Sequence, residues 1–223
     1  MERLIIVPDV HGRTFWRKVL ENKTDKIIFL GDYTDPYEHE GITHADAIEQ
    51  LQDIIQFKTD NMDRVILLLG NHDMFYIYRY FKCCRHTESL YELFHRLFIA
   101  NFSLFQMAYF NNGYLFTHAG VTRHWANTHI DICDAEYQIN QLFKDNPKVF
   151  FEVGYRRGGW SETGSPIWAD INEYEKINPF PKIIQCFGHS QGNDIRVIDE
   201  DKRLICLDCR KVFVLENNCF EEL

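Results

Sequence analysis

Five times in this chain a short apolar run breaks into a loop that carries carboxylate, imidazole or amide side chains. Leu4 to Val7 leads to Asp9-Val10-His11, Lys26 to Leu30 to Gly31-Asp32-Tyr33-Thr34-Asp35, and Val65 to Leu69 to Gly70-Asn71-His72. Later, Tyr114 to Thr117 leads to His118-Ala119-Gly120, and Ile183 to Phe187 to Gly188-His189-Ser190. Runs of four to six apolar residues bounded by such loops read as buried strands. In the first half they alternate with helical stretches, which is the rhythm of βαβ units and predicts parallel pairing. Open α/β sheets gather ligands beyond the carboxyl ends of their strands, so five polar endings of this kind point to one shared site.

The stretch from Thr43 to Lys58 places Ala45, Ile48, Leu51 and Ile55 on one helical face behind a Thr43 cap, and from Thr87 onward Leu90, Leu93, Phe94, Leu97 and Phe98 keep helical spacing. Further on, Phe105 to Phe110 and Tyr114 to Thr117 flank Asn111-Asn112-Gly113, a hairpin signal because asparagine and glycine tolerate positive φ. The segments Ile183 to Phe187, Ile195 to Ile198, Arg203 to Leu207 and Val212 to Leu215 read as successive strands. Parallel βα units followed by a mainly antiparallel set predict two packed sheets with helices outside. No repeat or linker divides residues 1–223, so a single domain is expected, with 154–166 as a long loop near the site.

A length of 223 residues at 45% hydrophobic content is ample for a packed core. The net charge of -9 opposes nonspecific contact with nucleic acid or an anionic membrane. No signal-peptide pattern opens the chain and no apolar run is long enough to span a bilayer, so a cytoplasmic protein is expected. Seven cysteines, an odd number, fit reduced thiols better than a disulfide framework. Cys206-Leu207-Asp208-Cys209 has CxxC spacing but no second pair to complete a zinc site.

Together the loops offer carboxylates at Asp9 and Asp32, imidazoles at His11, His118 and His189, and an amide at Asn71. This mixed oxygen and nitrogen set suits Mn, Fe, Zn or Ni rather than thiolate-bound zinc, and six ligands exceed what one catalytic ion with open positions uses. Taken singly each residue has a plainer role: Asp9 as a helix cap, Asp32 as a turn residue, Asn71 as a left-handed residue after Gly70, and His118 or His189 as a structural histidine. The ordered set is more specific. The DxH, GDxxD, GNHD, HAG and GH blocks, spanning Asp9 to His189, resemble the calcineurin-like metallophosphoesterases, and most closely their bacterial and phage phosphoprotein-phosphatase-like members.

That resemblance implies a four-layer α/β/β/α sandwich of two mixed sheets with flanking helices, and two divalent metal ions, Mn being the first expectation. Asp9 and His11 would hold the first ion, Asp32 would bridge both, and Asn71, His118 and His189 would hold the second. His72 resembles the general acid that protonates the leaving alkoxide, and Asp35 the carboxylate that orients it. One departure stands out: where protein Ser/Thr phosphatases of this group carry an arginine directly after GDxxD, this chain has Pro36-Tyr37. Arg156 and Arg157 are the expected substitutes for binding phosphate. Trp168 resembles the tryptophan block after the HAG motif, and the aromatic stretch Phe75, Tyr76, Tyr78, Tyr80 and Phe81 is expected to be core packing rather than a lid. The implied activity is metal-dependent phosphomonoester hydrolysis on a phosphoprotein or small phosphorylated compound. A dinucleoside polyphosphate hydrolase, a phosphodiesterase and a non-catalytic scaffold are the alternatives.

Overall fold

The computed structural model describes residues 3–80, 82–174 and 177–223. Its strands are β1 (Leu4–Val7), β2 (Lys26–Phe29), β3 (Val65–Leu68), β4 (Phe105–Gln106), β5 (Ala108–Asn111), β6 (Tyr114–Thr117), β7 (Ile184–Phe187), β8 (Arg196–Val197), β9 (Leu204–Cys206), β10 (Phe213–Glu216) and β11 (Cys219–Glu222). Its α-helices are α1 (His44–Asp60), α2 (Asn71–Tyr78), α3 (Tyr91–Ala100), α4 (Arg123–His129) and α5 (Ala135–Asp145). The chain forms two compact units, residues 1–106 with 210–223 and residues 107–209.

Unit 1 is built on a six-stranded sheet in the order β11-β10-β1-β2-β3-β4. The expected parallel core is present: β1 pairs with β2, β2 with β3 and β3 with β4, all parallel. Every residue of β1 is buried, in keeping with its continuous apolar sequence Leu-Ile-Ile-Val, and the strand lies between β2, parallel to it, and β10, antiparallel. Thr43 caps α1 through a reciprocal box with Asp46, whose carboxylate accepts from the Thr43 backbone N–H at 2.7 Å while the Thr43 hydroxyl accepts from the Asp46 N–H at 3.1 Å. Such a box stabilises a helix start by about 1 kcal/mol. The inward face of α1 is Ala47, Leu51, Ile54 and Ile55 with Gln50. Ala45, expected on that face, is exposed, and Ile48 lies at its edge, because the helix is rotated to present Gln50 to the indole of Trp16 at 3.1 Å. On α3, Phe94 and Phe98 are buried as expected while Leu93 is exposed.

Unit 2 holds a five-stranded sheet in the order β5-β6-β7-β9-β8. The turn Asn112-Gly113 closes the β5–β6 hairpin with both residues at positive φ, 48° and 89°, as the sequence predicts. One feature corrects the sequence reading. The run Phe105 to Phe110 is divided, β4 joining the first sheet and β5 the second. The later strands are mainly antiparallel, as in β5–β6, β8–β9 and the pairs of β10 with β1 and β11, but the sheet of unit 2 is mixed, since β6–β7 and β7–β9 are parallel pairs. A further strand, β11, pairs antiparallel with β10 across Asn217-Asn218, both at positive φ. Around β7 and β9 a core of Ala119, Ala169, Tyr174, Phe187, Leu204 and Cys206 packs, and the Tyr174 hydroxyl donates to the Ala119 carbonyl at 2.7 Å. No helix among the described residues is long and apolar enough to cross a membrane.

Candidate metal centre

In unit 1 the loops after β1, β2 and β3 are knitted to one another by their own backbones. The N–H groups of Val10 and His11 both donate to the Asp32 carbonyl, at 3.1 and 2.7 Å, and the Gly12 N–H donates to the Tyr33 carbonyl at 3.2 Å. Gly31 and Gly70 allow the second and third loops to touch. A Cβ on Gly31 would lie 2.5 Å from the Gly70 nitrogen, and one on Gly70 would overlap the Asp32 carboxylate. His11, Asp32 and Asp35 have φ of 47°, 52° and 55°, a region that costs a side-chain-bearing residue of order 1 kcal/mol or more. The inter-loop hydrogen bonds hold them there.

The Asp73 carboxylate is the staple of this arrangement. It accepts the backbone N–H groups of Asp32 at 2.8 Å, Tyr33 at 2.9 Å and Gly70 at 2.9 Å, and is completely buried. The aspartate of the GNHD block thus ties the start of α2 to the GDxxD loop. Asp73→Asn would turn an amide N–H toward these donors, so a loss of about 2–4 kcal/mol in unfolding free energy is expected by denaturant titration. An unchanged midpoint would show that the staple contributes nothing.

On this frame Asp9, His11, Asp32, Asn71 and His72 are all buried. His11 donates from Nδ1 to the Thr34 carbonyl at 2.7 Å, which leaves Nε2 as the unprotonated nitrogen of a neutral ring. Burial holds the ring neutral by lowering its pKa well below the ordinary value, against the pull of Asp32. Nε2 then faces the Asp32 Oδ2 at 3.5 Å, two electron-pair donors turned toward each other. Such a pair fits a shared divalent cation, whose bonds to imidazole nitrogen and carboxylate oxygen are about 2.0–2.2 Å each. Ligand atoms of His11, Asp32 and His72 all lie within 4.8 Å of one another. The Asn71 side-chain Nδ2 donates to the Cys83 sulfur at 3.4 Å, which orients that amide, and the Cys83 thiol donates to the Asn71 backbone carbonyl at 3.1 Å.

His72 projects from the first turn of α2, where its backbone N–H donates to Asp32 Oδ1 at 3.0 Å. Its Nδ1 lies 2.7 Å from Asp35 Oδ2, and the other oxygen of Asp35 accepts the Tyr76 hydroxyl at 2.5 Å. Burial opposes a charge on His72, but the Asp32 carboxylate and the hydrogen bond to Asp35 outweigh it and push its pKa up to about 10. Tyr76, one helical turn after His72, is therefore part of the site's support as well as part of the core. Phe75 is fully buried against Tyr76, Tyr78 stacks on the exposed Tyr80 at 5.7 Å, and Phe81 lies outside the described residues.

In unit 2 the loops after β6 and β7 meet in the same way. The Gly188 N–H donates to the His118 carbonyl at 2.7 Å, and His189 takes φ of 65°. His118 Nε2 and His189 Nδ1 then stand 3.2 Å apart, close to the spacing of about 3.0–3.4 Å expected of two imidazoles on one cation. Trp168 sets its ring edge-on to His189 at 6.0 Å, and the Pro166 carbonyl accepts the Ala119 N–H at 2.7 Å, which brings the tryptophan block to the HAG loop. Arg157 forms an ion pair with Asp170 at 2.9 Å and donates to the Ser190 hydroxyl at 2.7 Å, next to His189. Arg156 is exposed. Cys206 and Cys209 are buried thiols whose S–H groups donate to backbone carbonyls, so the CxxC spacing serves packing.

The family model for calcineurin-like phosphoesterases matches residues 3–193. The chain belongs to the calcineurin-like phosphoesterases. Its two mixed sheets with flanking helices are those of the metallophosphoesterase fold, and the family's chemistry makes it a phosphoric ester hydrolase. Among solved structures, a cold-active protein-tyrosine phosphatase of a psychrophilic Shewanella species is similar with a TM-score of 0.69 and 15% identity, covering 100% of this chain and 77% of that one. A protein serine/threonine phosphatase from Saccharomyces cerevisiae is similar at a TM-score of 0.52 and 14% identity, covering 96% and 72%. At these identities the likeness of this phosphoesterase to either structure is one of fold. No curated protein matches the chain by sequence.

Proposed function

We propose that the chain is a metal-dependent phosphomonoesterase in which Asp9, His11, Asp32 and Asn71 of unit 1 and His118 and His189 of unit 2 hold two divalent cations. The observation that carries this reading is the facing pair of lone pairs on His11 Nε2 and Asp32 Oδ2, with His72 beside it. The histidine pair of unit 2 offers a second set of donors of the same chemistry. Mn is the proposed metal, with Fe, Zn or Ni as alternatives of similar ligand preference.

When bound, a pair of divalent cations supplies an acidified water and neutralises phosphoryl charge. The protein's own residues do the rest. His72 holds a proton and delivers it from Nε2 to the leaving oxygen, while Asp35 grips Nδ1 and Tyr76 holds Asp35 in place. Arg157, fixed by Asp170 and Ser190, and Arg156 remain the phosphate-binding candidates of unit 2, with the Arg157 charge already answered by Asp170. A cytoplasmic location belongs to the same proposal, on the odd number of cysteines.

The names of the two structural neighbours, both protein phosphatases, favour a phosphoprotein or a small phosphomonoester as the substrate class. With Mn present, p-nitrophenyl phosphate and phosphopeptides are expected to turn over faster than the bis-ester or diadenosine tetraphosphate. Preferential cleavage of the bis-ester would identify a phosphodiesterase, and of the dinucleotide a polyphosphate hydrolase. No turnover of any of them would leave a scaffold.

A further inference from the structure

We infer that Arg85 binds the phosphoryl group of the substrate, an assignment that rests on the phosphoester-hydrolase reading above. Arg85 lies in the loop between α2 and α3, half-buried, with φ of 63°. Its backbone carbonyl sits 3.1 Å from His44 Nε2, and its Nε donates to the Asp35 carbonyl at 3.2 Å, so both ends of the residue are tied down. The guanidinium carbon lies 3.8 Å from the centroid of the Tyr37 ring, which itself meets the His11 ring edge-on at 5.2 Å. One terminal nitrogen then comes to 3.4 Å from His72 Nε2, the atom proposed to deliver the proton, and the other contacts the Cys84 sulfur at 3.3 Å.

The charge of this group is what sets it apart. Tyr37 carries a second guanidinium, that of Arg13 at 5.0 Å, but Arg13 is neutralised by both oxygens of Glu40, at 2.6 and 3.0 Å. Among the described residues no carboxylate lies within ion-pair distance of Arg85. Its hydrogen bonds go to a carbonyl and a thiol, it rests on a ring face, and the His72 ring beside it presents a second N–H rather than a counter-charge. A positioned guanidinium without a counter-charge, one contact away from His72, is a receptor for an anion. Its planar fork matches two oxygens of a phosphoryl group. Tyr37 supports the cation from beneath and keeps it from folding away. In this arrangement the guanidinium holds the phosphoryl oxygens while His72 addresses the leaving oxygen.

Affinity for inorganic phosphate, measured by calorimetry on Mn-loaded protein, tests this beside kcat/KM for p-nitrophenyl phosphate and metal content. Charge-assisted hydrogen bonds of about 1.5–3 kcal/mol correspond to an expected loss of roughly 10–150-fold in both quantities for Arg85→Ala, with metal content unchanged. Arg85→Lys is expected to recover part of the phosphate affinity, since it restores charge without the fork, and it carries the test if the alanine variant does not fold. Phosphate affinity and kcat/KM within about twofold of the parent in a folded variant would overturn the assignment. If the parent binds phosphate through Arg85 yet hydrolyses no phosphoester, the hydrolase reading falls and the anion site stands. Turnover in the parent with an unchanged Arg85→Ala variant keeps the hydrolase reading and removes Arg85 from it. A parent that neither binds phosphate nor turns over overturns both.

Discussion

His72→Ala is expected to lower kcat toward a phosphoserine peptide by about 10²–10⁴-fold while leaving metal content near that of the parent. A serine alkoxide is a poor leaving group and needs a proton as the P–O bond breaks, which is the work assigned to His72 Nε2. The p-nitrophenolate ion leaves readily without one, so the same variant is expected to lose less activity on p-nitrophenyl phosphate. This contrast separates a proton donor from a structural residue, since mispositioning of the loop would depress both substrates alike. Asp35→Asn is expected to show the same substrate dependence at smaller size, because the amide keeps the contact with His72 but weakens its hold on the proton. An equal loss on both substrates would refute the acid role of His72.

Asp32→Ala is the second large effect expected, a loss of activity on the order of 10³-fold or more together with loss of bound metal. Asp32 has two tasks in the structure. Its Oδ2 faces His11 Nε2, and its Oδ1 accepts the backbone N–H of His72. Asp32→Asn separates them, since an amide oxygen still accepts that N–H while the negative charge that a cation requires is gone. The asparagine variant is therefore expected to unfold close to the parent's midpoint in metal-free buffer and yet to bind little metal. Full metal occupancy in Asp32→Asn would remove Asp32 from the proposed ligands.

How far the sequence reveals this protein depends on the range of each interaction. The three leading strands, the Thr43 cap and the Asn112-Gly113 hairpin are legible because each is set by residues within a few positions of one another. The motif loops are legible as chemistry for a similar reason, since each motif is contiguous. The support around them is less so. Asp73 stands inside the GNHD block, yet its targets at Asp32 and Tyr33 lie about forty residues away, and only its place in the first turn of α2 hints at a backbone-binding role. Tyr76 falls four residues after His72 on one helix, a spacing that puts both side chains on one face and makes their common hold on Asp35 readable in principle. Arg85 has no such signal. Arg156 and Arg157 stand out in the sequence through their glycine-rich surroundings, whereas Arg85 reaches the Asp35 carbonyl from fifty residues downstream through a loop with no periodicity. The exposure of Ala45 and the division of Phe105 to Phe110 escape the sequence for a related reason, because helix rotation and the sheet that a strand joins are decided by partners distant in sequence.

Metal content and turnover measured on one preparation test the paired-cation centre most directly. The expected result is about two equivalents of divalent cation per chain, with hydrolysis of p-nitrophenyl phosphate abolished by chelation and restored by Mn. A limit of one equivalent or less at saturating Mn, or undiminished hydrolysis after complete chelation, would contradict it.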